Sequence, residues 1–397
     1  MRTIIKNATL IDEQLTMNGD LAFENGYIQT IGEVEVKQDD RIIDGTNLYL
    51  MPAFIDTHTH FREPGFPEKE TLETGSLAAV KGGYGTVLLM GNTKPAMSTK
   101  ERVEEILLKG KHLDLVNIHQ CATVTQDLEG EVLTDIDDII HVTQFFTDDG
   151  KGIMNDRLCL EAMLKIASCG GTLISHAENH YFTDIDMRLA ENLMTYRDIE
   201  LAKKSYCALH LAHVSTKEAI KLVREAKQEG VNVTMEITPH HLLGTSQLGY
   251  KVNPPLREQE DIEALIQGIR DNVVDCIGTD HAPHTKEDKA KGAPGISGIE
   301  TSFAICYRVL VKERQISLNV LSQLMSSNPA KILNLKKGRL IEGYDADLVL
   351  IDLNAVDVIK PETFISKGKN TPFAGEKIYG KVVRTIVQGK TVYGGEA

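Results

Sequence analysis

Residues 51–65 read MPAFIDTHTHFREPG. Five apolar positions run straight into Asp56-Thr57-His58-Thr59-His60, with no helix-period spacing between them. On an extended segment, side chains at i and i+2 point the same way, so His58 and His60 could share one cation at the end of a strand; a helix would need i, i+4 spacing instead. Seven further apolar runs follow: TVLLMG (86–91), LVNIHQCA (115–122), HVTQFF (141–146), TLIS (172–175), ALHLA (208–212), VNVTMEI (231–237) and VVDCIG (273–278). Helix-period segments separate them, among them LETGSLAAVKGG (72–83), DRLCLEAMLKIASCG (156–170), TKEAIKLVREAKQEG (216–230) and EDIEALIQGIRDN (260–272). Strands alternating with helices indicate βα units. Eight of them in about 280 residues match a closed α/β barrel of the (β/α)8, TIM type. An open doubly wound sheet would want a Gly-rich phosphate turn after its first strand, and none is there.

The two ends of the chain have a different texture. TIIKNATLID (3–12), LAFENGYIQTIGEV (21–34) and RIIDGTNLYL (41–50) alternate in strand fashion around Asn-Gly and Asp-Gly turns. After the helical NPAKILNL (328–335), DADLVLIDL (345–353) and GKVVRTIVQGKTVYGG (380–395) do the same. Residues 1–50 and 340–397 are therefore expected to form one small β-sandwich beside a barrel of residues 51–339.

Composition narrows the partners. With 57 Asp and Glu against 43 Lys and Arg, the 397-residue chain carries a formal charge of −14, which argues against nucleic acid or an anionic membrane surface as ligand. No apolar run approaches the ~20 residues of a membrane span, and the N-terminus turns acidic before a signal-peptide core could form. A cytoplasmic protein acting on a small molecule is expected. Cys121, Cys159, Cys169, Cys207, Cys276 and Cys306 show no CxxC pair and read as reduced thiols.

Ligand-type residues collect at the predicted strand ends: His58 and His60, Thr147-Asp148-Asp149, His176, His213, and Asp280-His281. The C-terminal strand ends of a barrel converge on one rim, so these distant segments would share one pocket. Imidazole and carboxylate donors without cysteine suit Zn²⁺ or a neighbouring divalent ion in a catalytic site. His112, His119, His141, His180 and His210 read as surface or hydrogen-bonded core residues. His240 and His241 stay open between a structural role and the pocket wall, and Asp56 reads as orienting its neighbouring histidines.

Taken together, HTHFREPG (58–65), GNTKP (91–95), FTDDGKG (146–152), SHAEN (175–179), HVSTK (213–217), ITPHHLL (237–243), NPPLR (253–257) and DHAPH (280–284) resemble the bacterial class I dihydroorotases of the amidohydrolase superfamily. The resemblance spans nearly the whole chain. It implies reversible, metal-dependent hydrolysis of the cyclic amide of dihydroorotate to N-carbamoyl-L-aspartate, in pyrimidine synthesis. It also implies that His58, His60, Asp149, His176, His213 and Asp280 are metal ligands for one or two zinc ions, with Asp149 between them. Many amidohydrolases carry a carboxylated lysine at that bridging position, and here the fourth strand ends in FTDDG (146–150) without a lysine before Lys151. Asp148 remains the neighbouring alternative.

A bound divalent ion can bring the pKa of water to ~7 and polarise the amide carbonyl, and a carboxylate beside it can shuttle the proton, the general base and acid role assigned to Asp280. The ring carboxylate of the substrate calls for a planar guanidinium, which makes Arg62 the anchor. Asn92, Asn253 and His284 resemble further substrate contacts, and Gly295 would offer backbone groups to the ring amide. The charged segment 285–295 reads either as a mobile loop that orders over substrate or as a solvated surface turn. A homodimer is expected, and a complex with aspartate carbamoyltransferase stays open. Two rivals differ in kind: a dihydropyrimidinase or allantoinase, which Arg62 and the aspartate disfavour, and a pseudo-dihydroorotase that only binds the transferase, which should show gaps among the six ligand positions.

Overall fold

The computed structural model describes residues 1–395. Five strands open the chain: β1 (Thr3–Ile11), β2 (Thr16–Glu24), β3 (Tyr27–Gly32), β4 (Arg41–Asp44) and β5 (Tyr49–Pro52). The barrel strands follow as β6 (Phe54–Thr59), β7 (Tyr84–Leu89), β8 (Asn117–Gln120), β9 (Phe145–Phe146), β10 (Thr172–Ser175), β11 (Ala208–Leu211), β12 (Val233–Ile237) and β13 (Cys276–Ile277). The chain closes with β14 (Leu348–Val358), β15 (Lys377–Val387) and β16 (Lys390–Tyr393).

All eight barrel strands pair in parallel, in the orders β6-β7-β8 and β9-β10-β11-β12-β13. Two parallel bridges join these arcs into a ring, Ala122 to Phe146 and Thr59 to His281. Amphipathic helices lie between strands, and four of them are started by a side-chain cap. Thr71, Thr99, Asn155 and Thr216 accept from main-chain N–H groups of the helices over 72–81, 100–113, 156–168 and 217–228.

Several apolar runs are cut shorter than the sequence suggests, three of them for a visible reason. In HVTQFF only Phe145 and Phe146 are strand, because the N–H groups of His141, Val142 and Thr143 bond back to Asp138 and Ile139 in the preceding helical turn. In VVDCIG, Val273 and Val274 donate to Gly268 of the helix before them, which leaves Cys276–Ile277. The opening run MPAFID is divided: Met51 and Pro52 pair with Val349 and Leu348 of β14, and the barrel begins at Phe54.

Both termini enter one branched, eight-stranded sheet, β16-β15-β14-β5-β1-β2-β3, with β4 on β1. It closes over a core of its own as the sandwich layer, built from Ile5, Leu10, Leu21, Leu50, Leu348, Leu350 and Ile386. Burying each such side chain contributes about 1.5–3 kcal/mol. Asp347 fastens this layer to the barrel: its carboxylate takes Lys337 Nζ at 2.7 Å, Asn117 Nδ2 at 3.0 Å and the Gln388 N–H at 2.7 Å. No helix among the described residues is long and apolar enough to cross a membrane. All six cysteines are free.

Candidate metal centre

Six side chains from five strand ends meet at one rim of the barrel. His58 lies in β6 and His60 just beyond it; Asp149, His176, His213 and Asp280 follow β9, β10, β11 and β13. The extended backbone of β6 sets the His58 and His60 rings 5.1 Å apart. His213 and Asp280 reach inward from left-handed backbone, φ 36° and 45°, a conformation that costs a non-glycine residue about 1–3 kcal/mol unless neighbours hold it. The Val214 N–H bonds to Glu236 O at 3.0 Å and the His281 N–H to Thr279 Oγ1 at 3.1 Å, directly after each turn.

Asp149 stands at the middle. Its Oδ1 lies 3.4 Å from His58 Nε2, 3.6 Å from His176 Nδ1 and 3.8 Å from His213 Nε2, while its Oδ2 lies 3.5 Å from His60 Nε2. Asp280 Oδ1 is 3.0 Å from His60 Nε2 and 3.7 Å from His58 Nε2. His176 Nδ1 and His213 Nε2 are 2.8 Å apart. Two overlapping groups result, one of His58, His60 and Asp149 and one of Asp149, His176 and His213, with one carboxylate common to both.

Burial works against charge on Asp149, but His58, His213 and His60 around it hold the carboxyl well below the usual carboxylate range. Asp280 is likewise held low by His60, His58 and His213 against the cost of its burial. Both are therefore anions facing nitrogen donors.

His58 Nε2 and Asp149 Oδ1 are buried and lack a hydrogen-bond partner, a combination that costs about 1–3 kcal/mol per group unless something satisfies it. A divalent cation among imidazole nitrogens and carboxylate oxygens would satisfy both, so the donor set fits one. Asp148 faces elsewhere. Its Oδ1 accepts the Val124 and Thr125 N–H groups at 2.8 and 3.1 Å and its Oδ2 accepts the Thr125 hydroxyl.

The opposite nitrogen of three rings is engaged, which aims the remaining one. His58 Nδ1 is 2.7 Å from Glu236 Oε1, His60 Nδ1 3.0 Å from Asn92 Oδ1, and His176 Nε2 2.7 Å from Glu178 Oε2. Glu236 and Glu178 were not singled out from the sequence. A lone acid inside the apolar run VTMEI was the available signal for Glu236; Glu178 sat in SHAEN beside a candidate ligand. Burial opposes charge on Glu178, yet bonds from His176, Asn253 and Thr183 hold its carboxyl down to about 2.

A cavity of about 230 Å³ opens above the cluster, lined by His60, Arg62, Asn92, Asp149, His176, His213, Asn253, Asp280, His284 and Gly295. Arg62 makes no ion pair among the described residues; its Nε donates to Pro283 O at 3.3 Å and its Nη2 lies 3.4 Å from His284 Nε2. Burial and the Arg62 charge push His284 down to about 4, so this ring is neutral at pH 7 and leaves the guanidinium as the cationic group beside it.

The other expected contacts are more committed internally. Asn92 accepts from His60 and donates to Asp149 Oδ2 at 3.1 Å. Asn253 donates to Glu178 at 2.7 Å, and its Oδ1 is buried without a partner. Gly295 donates its N–H to Lys251 O at 3.2 Å and accepts from Lys289 and Asn370 at 3.0 Å each. Within 285–295, Lys286–Ala290 forms a short helix capped by Thr285.

The remaining histidines divide. His241 is tied through Thr238 Oγ1 and Pro254 O at 2.7 and 3.1 Å. His240 Nε2 is buried without a partner. His281 bonds Glu70 at 3.3 Å, and His210 bonds Thr234 and Glu236 at 2.8 and 3.2 Å. His112, His141 and His180 are exposed and His119 half-buried. Asp56 accepts the His58 and Thr279 N–H groups at 3.2 and 2.9 Å; it holds the His58 main chain and not the ring.

The model of the Amidohydrolase family matches residues 49–392. The chain is 49% identical to a dihydroorotase of Clostridium botulinum, covering 99% of this chain and 100% of that one. It is 39% identical to a dihydroorotase of a Geobacillus species, covering 99% of each. Among solved structures, the L-hydantoinase (dihydropyrimidinase) of Arthrobacter aurescens superimposes with a TM-score of 0.91 at 26% identity, over 98% of this chain and 95% of that one.

Proposed function

The chain belongs to the amidohydrolase family, among its dihydroorotases, and on that premise we propose that it interconverts dihydroorotate and N-carbamoyl-L-aspartate by reversible hydrolysis of the ring amide. One observation carries the mechanism: Asp149 gathers four histidines at 3.4–3.8 Å in a cavity that also holds an arginine with no ion pair among the described residues. His58, His60, Asp149 and Asp280 would hold one zinc ion, and Asp149, His176 and His213 a second. Bound there, such ions supply a water whose pKa is brought to ~7 and a Lewis acid for the amide carbonyl.

The chain's own residues do the rest. The Arg62 guanidinium pairs with the ring carboxylate, a two-point contact that fixes the ring's rotation over the cluster. Asp280, with Oδ1 held by His60, takes a proton from the attacking water as its oxygen bonds the amide carbon. The carbon–nitrogen bond then breaks, and Asp280 returns the proton to the leaving nitrogen. Ring closure runs the same steps backwards. Asn253, His284 and Gly295 frame the ring, and Asn92 joins them at the edge where it also holds His60.

Arg62→Ala is expected to lose about 1.5–3 kcal/mol of charged hydrogen bonding, roughly 10- to 100-fold in kcat/KM. Most of it should appear in KM, with the melting temperature little changed; steady-state kinetics in both directions would check this. A fall confined to kcat would remove Arg62 from the carboxylate.

The substrate itself is tested by comparing dihydroorotate, dihydrouracil and allantoin on one preparation. Turnover of dihydroorotate alone is expected. Equal turnover of dihydrouracil would favour a dihydropyrimidinase, the activity named for the solved structure from Arthrobacter. The same family resemblance supports a cytoplasmic homodimer and makes aspartate carbamoyltransferase the partner to test by co-purification.

A further inference from the structure

Glu236 is fully buried in the middle of the barrel floor, at 0% exposure, where an ionised carboxylate persists only if donors surround it. It has four. Its Oε1 takes the His58 ring at 2.7 Å and the His213 main-chain N–H at 3.3 Å. Its Oε2 takes the Thr57 hydroxyl and His210 Nε2, the latter at 3.2 Å. The facing residue is Gly278, and a Cβ there would collide with the Glu236 carboxylate, so the backbone of the neighbouring segment makes room for this one group.

His210, Glu236 and Cys276 lie close enough to resemble a third ion site. With both carboxylate oxygens already taken, that cluster is a hydrogen-bonded hub instead. What the hub touches gives it a role. Through one oxygen it contacts a ring from β6 that belongs to the first candidate metal group and the main chain of a residue after β11 that belongs to the second. His213 is also the residue whose backbone is held at φ 36°.

We propose that Glu236 is a positioning residue for both metal positions, fixing His58 with its proton on Nδ1 and Nε2 free for a metal, and holding the His213 main chain in the same frame. The role rests on the metal-centre reading above. Glu236 touches neither substrate nor metal. It acts by denying His58 a ring flip and His213 a relaxation of its turn, as carboxylates behind metal-bound histidines do in general.

The test uses metal-stripped wild type and Glu236→Gln, each titrated with Zn²⁺ against a chromogenic chelator and with Co²⁺ followed by its visible absorption. Glu236→Gln keeps the side chain's shape and removes its charge. The expected result is a Kd for Zn²⁺ raised about 10- to 100-fold with an altered Co²⁺ spectrum, in protein whose metal-free circular dichroism matches wild type. A merely structural residue would lower the metal-free melting temperature and leave Kd and spectrum unmoved, which would overturn the proposal. If Glu236→Gln does not fold, nitrogen NMR of ¹⁵N-histidine-labelled, zinc-loaded wild type decides: His58 bound through Nε2 with a proton on Nδ1 supports the role, and binding through Nδ1 overturns it. Wild type that takes up neither ion would sink the metal-centre reading itself, a result distinct from normal uptake by both proteins.

Discussion

Asp280→Asn should lower kcat for dihydroorotate ring opening by roughly 10²- to 10⁴-fold, the range of a lost general base, with a much smaller change in KM. Oδ1 of Asp280 lies 3.0 Å from His60 Nε2, and the carboxylate lines the cavity, so it sits between a candidate metal group and the space for substrate. The amide keeps that shape but cannot take a proton. His60, His58 and His213 hold the carboxyl low against its burial, so it is ionised across the working range. Loss of the base should be equal in both directions, because ring closure uses the same group in reverse. Steady-state rates with dihydroorotate and with N-carbamoyl-L-aspartate would measure this beside Arg62→Ala. Equal and mild effects from both variants would contradict the division of roles.

Asp149→Asn should be the most damaging single substitution for metal binding, because one carboxylate serves both groups. Elemental analysis is expected to find less than half the wild-type metal, and added Zn²⁺ should not restore turnover. Asp148→Asn is the comparison that makes the result specific. Asp148 accepts two main-chain N–H groups and a hydroxyl, so its loss should destabilise the fold by about 1–3 kcal/mol while metal content stays near wild type. Denaturant unfolding beside metal analysis separates the two. Normal metal content in Asp149→Asn with loss in Asp148→Asn would reverse the assignment of the bridging carboxylate.

The barrel was legible because each βα unit repeats one pattern, and because ligand-type residues fell just after apolar runs and not inside them. Short strands were not. HVTQFF and VVDCIG look like full strands, but their first amides serve the C-terminal ends of preceding helices, a competition that apolar composition does not register. MPAFID reads as one strand, and Met51–Pro52 pairs instead with β14, some 300 positions away in sequence, so no local signal could divide it.

The same distinction holds at the site. The HxH spacing announces His58 and His60, whereas what aims their rings is scattered: Glu236 on β12 for one and Asn92 beyond β7 for the other. Asn92 was read as a substrate contact from its place in GNTKP, and in the structure both ends of its amide are bonded to His60 and Asp149. A side chain at the pocket rim can line the ligand's space and brace its neighbours at once, and sequence position alone suggests only the first.

Metal content and dihydroorotate turnover, measured on one preparation before chelation, after chelation and after reloading with Zn²⁺, test the metal-dependent mechanism most directly. About two ions per chain are expected, as in other two-metal hydrolytic sites, with turnover lost on stripping and regained on reloading. Full turnover by metal-free protein would contradict it.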